Sequence, residues 1–236
     1  MNAVIHLIGN DARLLYRSGY IWASVAVFAL LLLASLQAQR LDFAGYEDFI
    51  AAIILFDIVL SPVMLVGLMV LLERGEGAFA VLSVSPAPAG AYIGARVLIV
   101  SLIAMAEMFV LVLVVYDAPL SPLLLALGLA GAAAVAALLG FAIVAFYDDL
   151  YAFILPMIAA IMLLGAPGYG VWFGLDPGWL AWHPTAASLA LIEAAFAPGF
   201  GAAQVYAVFG AILWIAASAA LAYWAVRRMR ARIGGA

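Results

Sequence analysis

The sequence predicts an all-α membrane protein, with six transmembrane helices in a single domain and an amphipathic helix before the first of them. Hydrophobic residues make up 70% of the 236 residues and charged residues only 9%, whereas soluble domains are about half apolar and about a quarter charged. The apolar residues also fall into long runs. Each run is near the ~20 residues that a helix needs to cross the hydrocarbon core of a bilayer.

Residues 4–18 precede these runs and have the period of an amphipathic helix. One arc of this helix carries the polar residues His6, Asn10, Arg13 and Arg17. Apolar residues fill the rest of the circle, and Asp11 is the one interruption. Such a pattern is typical of a helix lying in the membrane interface. A cleavable signal peptide is the alternative, but it would have a shorter charged start and a clear small-residue cleavage site.

Six apolar runs predict the spans, at about 20–38, 48–72, 93–116, 122–146, 150–171 and 204–226. The connection 172–203 is also apolar, yet Pro184 and Pro198 limit its helix to about 14 residues, or ~20 Å at 1.5 Å per residue. That length is short of the ~30 Å hydrocarbon core. We therefore predict a helical insertion on the outer side of the membrane rather than a seventh span.

The arginines predict the orientation of the chain, because cytoplasmic loops collect positive residues. With six spans and both termini in the cytoplasm, only Arg40 lies outside. The other eight arginines are then cytoplasmic, namely Arg13, Arg17, Arg74, Arg96, Arg227, Arg228, Arg230 and Arg232.

Composition also excludes several functions. The chain has no cysteine, and all nine of its Lys+Arg residues are arginines, so it has neither thiolate chemistry nor the lysine of a phosphate-binding P-loop. His183 has no second histidine or carboxylate cluster near it in sequence, and no Ser/His or paired-Asp pattern has catalytic spacing. With a net charge of −4, we predict a non-catalytic chain with no metal site, no cofactor of its own and no nucleic-acid partner.

The connection between the second and third spans, residues 73–92, is the most informative segment. It begins Glu73-Arg74-Gly75-Glu76-Gly77, continues with the apolar residues Phe79, Val81 and Leu82, and meets Pro86. A charged start, one or two helical turns and a Ser-Pro stop describe a short helix that offers apolar side chains to a soluble partner. The alternative is that these side chains pack beneath the protein's own bundle.

Two ionisable residues, Asp57 and Glu107, lie inside predicted spans. Each is nine residues from the outer end of its span, or ~14 Å deep at 1.5 Å per residue. Charge in hydrocarbon is costly, so each carboxyl needs water, a hydrogen-bond partner or a proton. One interpretation is a polar patch on a translocation path that binds a cationic or hydrogen-bonding substrate. The alternatives are an interhelical hydrogen bond and a carboxyl facing an outer water-filled vestibule.

Taken together, the interfacial helix, the six spans, the Glu-Arg-Gly-Glu-Gly loop with Leu82-Ser83-Val84-Ser85-Pro86, and the outer insertion resemble the type-2 family of ABC exporter permeases. Within it, residues 57–86 and 182–198 are most similar to fluoroquinolone-export-type permeases. The sequence departs from the family in having Ala78 where threonine is common, and in the alanine-rich stretch after Pro86.

The resemblance implies a multi-pass permease subunit for multidrug efflux in the bacterial plasma (inner) membrane, with a drug-like molecule or lipid as substrate. A separate ABC ATPase subunit would bind ATP and Mg, and a second copy or a paralogous permease would complete a dimer in contact with membrane lipid. The loop then resembles the family's coupling helix, with contacts to the ATPase from Glu73, Arg74, Glu76, Phe79, Val81 and Leu82.

Two other functions remain open at this point. A proton-coupled secondary transporter would use Asp57 and Glu107, although the sequence has no internal repeat of the kind common in such transporters. A membrane scaffold without transport activity would use the same loop to bind a partner other than an ATPase.

Overall fold

The fold is taken from a computed structural model, which describes residues 2–41, 46–77, 88–116, 119–175, 180–196 and 199–233. Within these ranges the regular secondary structure is helical and no strand occurs. The helices are α1 (Asn2–Arg17), α2 (Tyr20–Leu41), α3 (Tyr46–Gly75), α4 (Ala89–Val115), α5 (Pro122–Val144), α6 (Leu150–Leu164), α7 (Ala166–Trp172), α8 (Ala186–Ala195) and α9 (Ala202–Ile233).

Five of these helices, α2, α3, α4, α5 and α9, are long and apolar enough to cross a membrane. The apolar helix α6 and the short helix α7 together cover the remaining predicted span. The predicted fold class is confirmed, because the protein is an all-α membrane protein with about six spans.

Helices α3 and α9 extend well past the ends of their apolar runs. Helix α3 continues to Gly75, so Glu73 and Arg74 belong to its last turn rather than to the connecting segment. Helix α9 continues to Ile233, and its last turn carries Arg230 and Arg232. Cations near a helix C-terminus interact favourably with the helix dipole, which explains why these charged residues prolong α9.

The run at 150–171 forms two helices instead of one. Helix α6 ends at Gly165, whose N–H donates to the carbonyl oxygen of Ile161 at 2.9 Å. Helix α7 then begins at Ala166, with Pro167 in its first turn. Proline lacks an N–H group, and in the first turn of a helix that group would have no intrahelical partner. The proline is therefore accommodated by starting a new helix.

Helix α5 lies at the centre of the bundle and contacts α3, α4, α6, α8 and α9. Every fourth residue along one side of it is small and buried, namely Gly128, Ala132, Ala136 and Gly140. A Cβ atom added at Gly140 would lie 3.2 Å from the Cα atom of Val63 on α3. Small residues at this spacing allow helix backbones in membranes to approach closely, so this pattern explains why α5 is surrounded on most sides.

Helix α8 packs against α5 and α9. Its ten residues span only ~15 Å at 1.5 Å per residue, too short to cross the hydrocarbon core. Both of its ends are tied to neighbouring elements. The N–H of Ser121, before α5, donates to the carbonyl oxygen of Ala195 at 2.8 Å, and the buried hydroxyl of Thr185 donates to the carbonyl oxygen of Leu164 at 2.6 Å.

Helices α1 and α2 both contact α4. They are joined at Ser18-Gly19, where Gly19 has a φ of 75°. Asp11 of α1 contacts Arg96, and Ser24 of α2 contacts Glu107. The location of α1 in the membrane interface stays a prediction.

His183 fixes the chain just before α8. Its Nδ1 atom lies 3.0 Å from the Thr185 hydroxyl oxygen and accepts a hydrogen bond from the Thr185 N–H at 3.3 Å. Burial lowers the pKa of His183, which disfavours the charged imidazolium, and a hydrogen bond to the Leu163 backbone opposes that shift in part. A lone histidine at this position therefore has a structural role at the start of α8.

We expect substitution of Gly128 by alanine to destabilise the bundle. A Cβ atom there would lie 2.9 Å from the carbonyl oxygen of Ser188 and 3.0 Å from the backbone nitrogen of Ile192. Overpacking of this kind costs about 1–3 kcal/mol. Gly94→Ala is the control, because nothing lies within 4 Å of its Cβ position. Thermal unfolding of the detergent-solubilised protein should separate the two variants, and equal midpoints would contradict the close approach of α5 and α8.

We also expect stability to fall on acidification because His183 is held neutral. A histidine whose folded pKa is lowered takes up a proton on unfolding once the pH is below its ordinary pKa of about 6.5, so its contribution to stability is fully present above that value and is lost as the pH falls from there through the lowered folded pKa. His183→Asn keeps a hydrogen-bond acceptor and does not titrate. Unfolding midpoints from pH 7.5 to pH 5 should fall more steeply for the wild type than for this variant. Parallel profiles would rule the effect out.

Candidate functional site

One end of the bundle carries a buried network of charges centred on Arg96, here called the Arg96 network (Asp11, Glu73, Tyr92 and Arg96). The Arg96 side chain is only 1% exposed. Its Nη2 atom lies 2.5 Å from an oxygen of Asp11 and 2.5 Å from an oxygen of Glu73. One guanidinium therefore joins α1, the end of α3 and the first turns of α4.

Tyr92 completes this network from one helical turn before Arg96. Its hydroxyl donates to the second carboxylate oxygen of Glu73 at 2.7 Å and accepts from Arg96 at 2.8 Å. The Arg96 guanidinium carbon also lies 4.8 Å from the centre of the Tyr92 ring. An arginine offers five N–H donors in a planar fork, and that geometry lets a single cation satisfy two carboxylates.

Asp11 shows the electrostatic balance in this network. Burial raises the pKa of Asp11, and the guanidinium of Arg96 opposes that rise by attraction and hydrogen bonding. When an ion pair is buried, the free energy lost with its hydration offsets much of its electrostatic attraction. Removing one partner is nevertheless costly, because it leaves the other charge uncompensated. The network thus specifies how α1 docks more than it adds to net stability.

Arg74, the next residue after Glu73, makes a second set of contacts. Its guanidinium donates to the carbonyl oxygen of Tyr147 and to the Asp148 carboxylate, the latter at 3.1 Å. It also lies 3.5 Å from the carbonyl oxygen of Ala145 at the end of α5. Carbonyl groups at a helix C-terminus have no intrahelical partner, and a nearby arginine can satisfy them. The last turn of α3 is therefore tied to the α5–α6 turn as well.

A cavity of about 600 Å³ opens beside these contacts. Its apolar part comes from the last turns of α3, and its charged rim includes Arg74, Glu76, Asp148 and Asp149. Glu76 is exposed and directly precedes the segment 78–87. Phe79, Val81 and Leu82, the apolar residues of the predicted coupling helix, lie outside the described residues.

A second polar cluster lies within the bundle and is formed by Tyr20, Ser24, Asp57, Ser61 and Glu107. The hydroxyl oxygens of Tyr20 and Ser61 are 3.0 Å apart, and the Ser24 hydroxyl donates to Glu107. Asp57 is only 4% exposed. The carboxyl groups of Asp57 and Glu107 are close enough to interact electrostatically. The two intramembrane carboxyls that the sequence singled out therefore belong to one polar cluster, to which α2, α3 and α4 contribute residues.

These five residues carry hydroxyl and carboxyl groups, which can exchange hydrogen bonds with a polar or cationic guest or with one another. Helix α2 is the least buried of the five long helices, and it contributes Tyr20 and Ser24 to the cluster. In the described part of the chain, no group of three or more His, Cys, Asp or Glu residues is placed to hold a metal ion. The cluster is therefore interpreted as a polar patch.

The Arg96 network is the feature that the sequence did not predict. Arg96 lies inside the apolar run 93–116, and Asp11 interrupts the amphipathic pattern of residues 4–18. An arginine inside a predicted span needs a carboxylate partner, so these two irregularities were the available signal. The sequence alone does not show which of its carboxylates contact Arg96.

The helical bundle, with its five long apolar helices, is that of a polytopic membrane protein. The sequence matches, over residues 13–224, the model of the family described as fluoroquinolones export permease protein Rv2686c-like. The match covers most of the chain, which therefore belongs to this family of export permeases. A comparison with curated proteins finds no match.

We expect Arg96→Leu to destabilise the protein strongly. The substitution leaves the buried carboxylates of Asp11 and Glu73 without their cation, and breaking a buried ion pair in this way costs about 3–5 kcal/mol. Arg96→Lys should give an intermediate effect, because an ammonium lacks the planar fork. Arg232→Leu, at an exposed position of α9, is the matched control. Thermal unfolding in detergent is the measurement, and equal losses for Arg96→Leu and Arg232→Leu would contradict the structural role of the network.

Proposed function

We propose that this chain is the membrane subunit of an ABC exporter. It moves a hydrophobic or amphipathic substrate, such as a drug-like molecule or a lipid, out of the cytoplasm or the inner leaflet. The energy comes from ATP hydrolysed by a separate ATPase subunit, which binds the ATP and Mg. The family supplies the export function, and the coupling to an ATPase is our inference.

The observation that carries this proposal is the way the last turn of α3 is held. Glu73 belongs to the Arg96 network with α1 and α4, and Arg74 contacts the α5–α6 turn. The segment 76–88 follows this last turn directly in the chain. A force applied to that segment by a soluble partner would therefore reach α1, α3, α4 and the α5–α6 turn together. This is the property required of a coupling element between an ATPase and a set of spans.

In this role the segment 73–92 docks on the ATPase. Glu76 provides an exposed carboxylate, and Phe79, Val81 and Leu82 provide the apolar contacts. Glu73 and Arg74 act at the base of the segment, where they join it to the bundle. The end of the bundle that carries the Arg96 network is then cytoplasmic, in a bacterial plasma membrane, with both termini on that side.

A dimer is part of the proposal. In one copy α5 fills the centre of the bundle, and its neighbours pack closely around it. The exposed apolar side chains of α2, α6 and α9 face outward, where they meet lipid or another permease chain. A path for a bulky substrate is therefore expected between two permease chains, identical or paralogous.

A proton-coupled secondary transporter is the second candidate, and one observation favours it. Asp57 is buried and Glu107 is half-buried, and both belong to one cluster with three hydroxyl groups, an arrangement suited to carrying a proton. The two candidate functions use different energy sources, and an export assay in whole cells distinguishes them. Export by the ABC mechanism stops when ATP is depleted and continues when a protonophore collapses the proton gradient while ATP is maintained.

We expect the combined substitution Glu76→Ala, Phe79→Ala and Leu82→Ala to abolish co-purification with the partner ATPase and substrate-stimulated ATP turnover. The three changes remove the charged and apolar contacts of the docking segment and leave the Arg96 network in place. The matched control is Trp182→Ser with Phe200→Ser, two exposed side chains at the opposite end of the bundle. Retention of ATPase binding and stimulated turnover by the triple variant would refute the docking assignment.

A further inference from the structure

Helix α9 carries two adjacent exposed cations that neither of the sites described above uses. Arg227 and Arg228 are both exposed, and in the described part of the chain neither forms an ion pair with a carboxylate. The sequence from residue 194 to residue 236 contains no Asp or Glu. The two arginines and the aromatic residues one turn before them therefore form a cationic patch, here called the α9 patch (Tyr223, Trp224, Arg227 and Arg228).

Each arginine of the α9 patch lies over an aromatic ring. The guanidinium carbon of Arg227 is 5.8 Å from the centre of the Tyr223 ring, and that of Arg228 is 5.5 Å from the centre of the Trp224 ring. The Trp224 ring also packs near Phe146, just after α5, with 6.2 Å between the ring centres. A guanidinium over a ring keeps its N–H donors at its edges. The rings therefore position both cations and leave their donors available to a ligand.

The exposed face of α9 leads from apolar residues to this patch. Leu213, Ala217, Trp224 and Arg228 are all exposed and follow one another on one side of the helix. From Leu213 to Trp224 the helix rises ~16 Å at 1.5 Å per residue, which is close to half of the ~30 Å hydrocarbon core. Tryptophan is enriched where the hydrocarbon meets the headgroups. The two arginines are therefore at headgroup depth, beside an apolar surface as long as one leaflet.

We propose that the α9 patch binds an anionic phospholipid, with the headgroup phosphate at Arg227 and Arg228 and the acyl chains along the exposed face of α9. The planar fork of an arginine matches the oxygens of a phosphate. Cations next to a span also attract anionic lipids.

A second copy of this chain fits the same face less well. A two-fold symmetric dimer uses the same patch on both subunits. Such a dimer through the α9 patch would bring four arginines together, and α9 has no carboxylate to pair with them. An anionic lipid supplies the missing negative charge. The lipid is a bound component here and not the exported substrate, so the proposal is independent of the export function.

The test uses the full chain in detergent micelles, with native mass spectrometry to follow the binding of single lipid molecules. The probe is dioleoyl phosphatidylglycerol, and the reference is dioleoyl phosphatidylcholine, which has the same chains and no net charge. A cation near an anionic lipid contributes about 1 kcal/mol, or about fivefold in affinity. With two such cations, the first phosphatidylglycerol should bind the wild type at least about tenfold more tightly than the first phosphatidylcholine.

Three double variants locate the binding. Arg227→Gln with Arg228→Gln should abolish the preference for phosphatidylglycerol. Arg227→Lys with Arg228→Lys should keep part of it, because an ammonium retains the charge without the planar fork. Arg13→Gln with Arg17→Gln is the matched control, since it removes the same charge from two exposed positions of α1, and it should leave the preference unchanged.

Several results would overturn the proposal. These are a wild type without the preference, an equal loss in the α1 control and the α9 glutamine variant, or a lysine variant that binds no better than the glutamine variant. Displacement of the lipid by an equal concentration of inorganic phosphate would show a site for soluble phosphate instead. Binding is measured without ATP or an ATPase, so failure of ATP-driven export with intact lipid binding would count against the proposed function alone.

Discussion

The burial of a single guanidinium organises one whole end of this membrane protein. Arg96 lies within a helix whose other residues are typical of a transmembrane span. It is compatible with that position only because two carboxylates and a phenol surround it. Those partners come from three helices. The docking of α1, the end of α3 and the start of α4 are therefore set together, and none of the three can be displaced without leaving a charge uncompensated.

The middle of the bundle is stabilised differently. In lipid there is no strong hydrophobic effect between helices, so the helices depend on close packing. There the small residues of α5 allow α3 and α8 to approach at backbone distance. The two constraints divide the molecule. Charge fixes the end with the Arg96 network, close packing fixes the centre, and the opposite end includes the short helices α7 and α8.

Much of this architecture could be predicted from the sequence. The apolar runs identified the spans, because burial in lipid requires long stretches without charge. Their ends were less predictable. Glu73 and Arg74 extend α3 since a charged residue with partners can remain helical, and Gly165 with Pro167 divides a continuous apolar run because of local backbone chemistry. Hydropathy measures neither effect.

The candidate sites also differ in whether the sequence alone could predict them. Asp57 and Glu107 were identifiable because a carboxyl in an apolar run is conspicuous, and equal depth in consecutive helices makes their proximity plausible. The Arg96 network was not, since it depends on Asp11, Glu73 and Arg96, which are far apart in the chain, meeting in space.

The separation between Asp11 and Arg96 has a consequence for biogenesis. The two residues are 85 positions apart, and Glu73 lies between them in the chain. As the ribosome delivers the protein from its N-terminus, α1 and α2 are complete long before α4 exists. The Asp11 carboxylate therefore has no arginine partner from α4 until α4 has been inserted. The final docking of α1 is then a late step in assembly, because it requires that α3 and α4 have already been inserted.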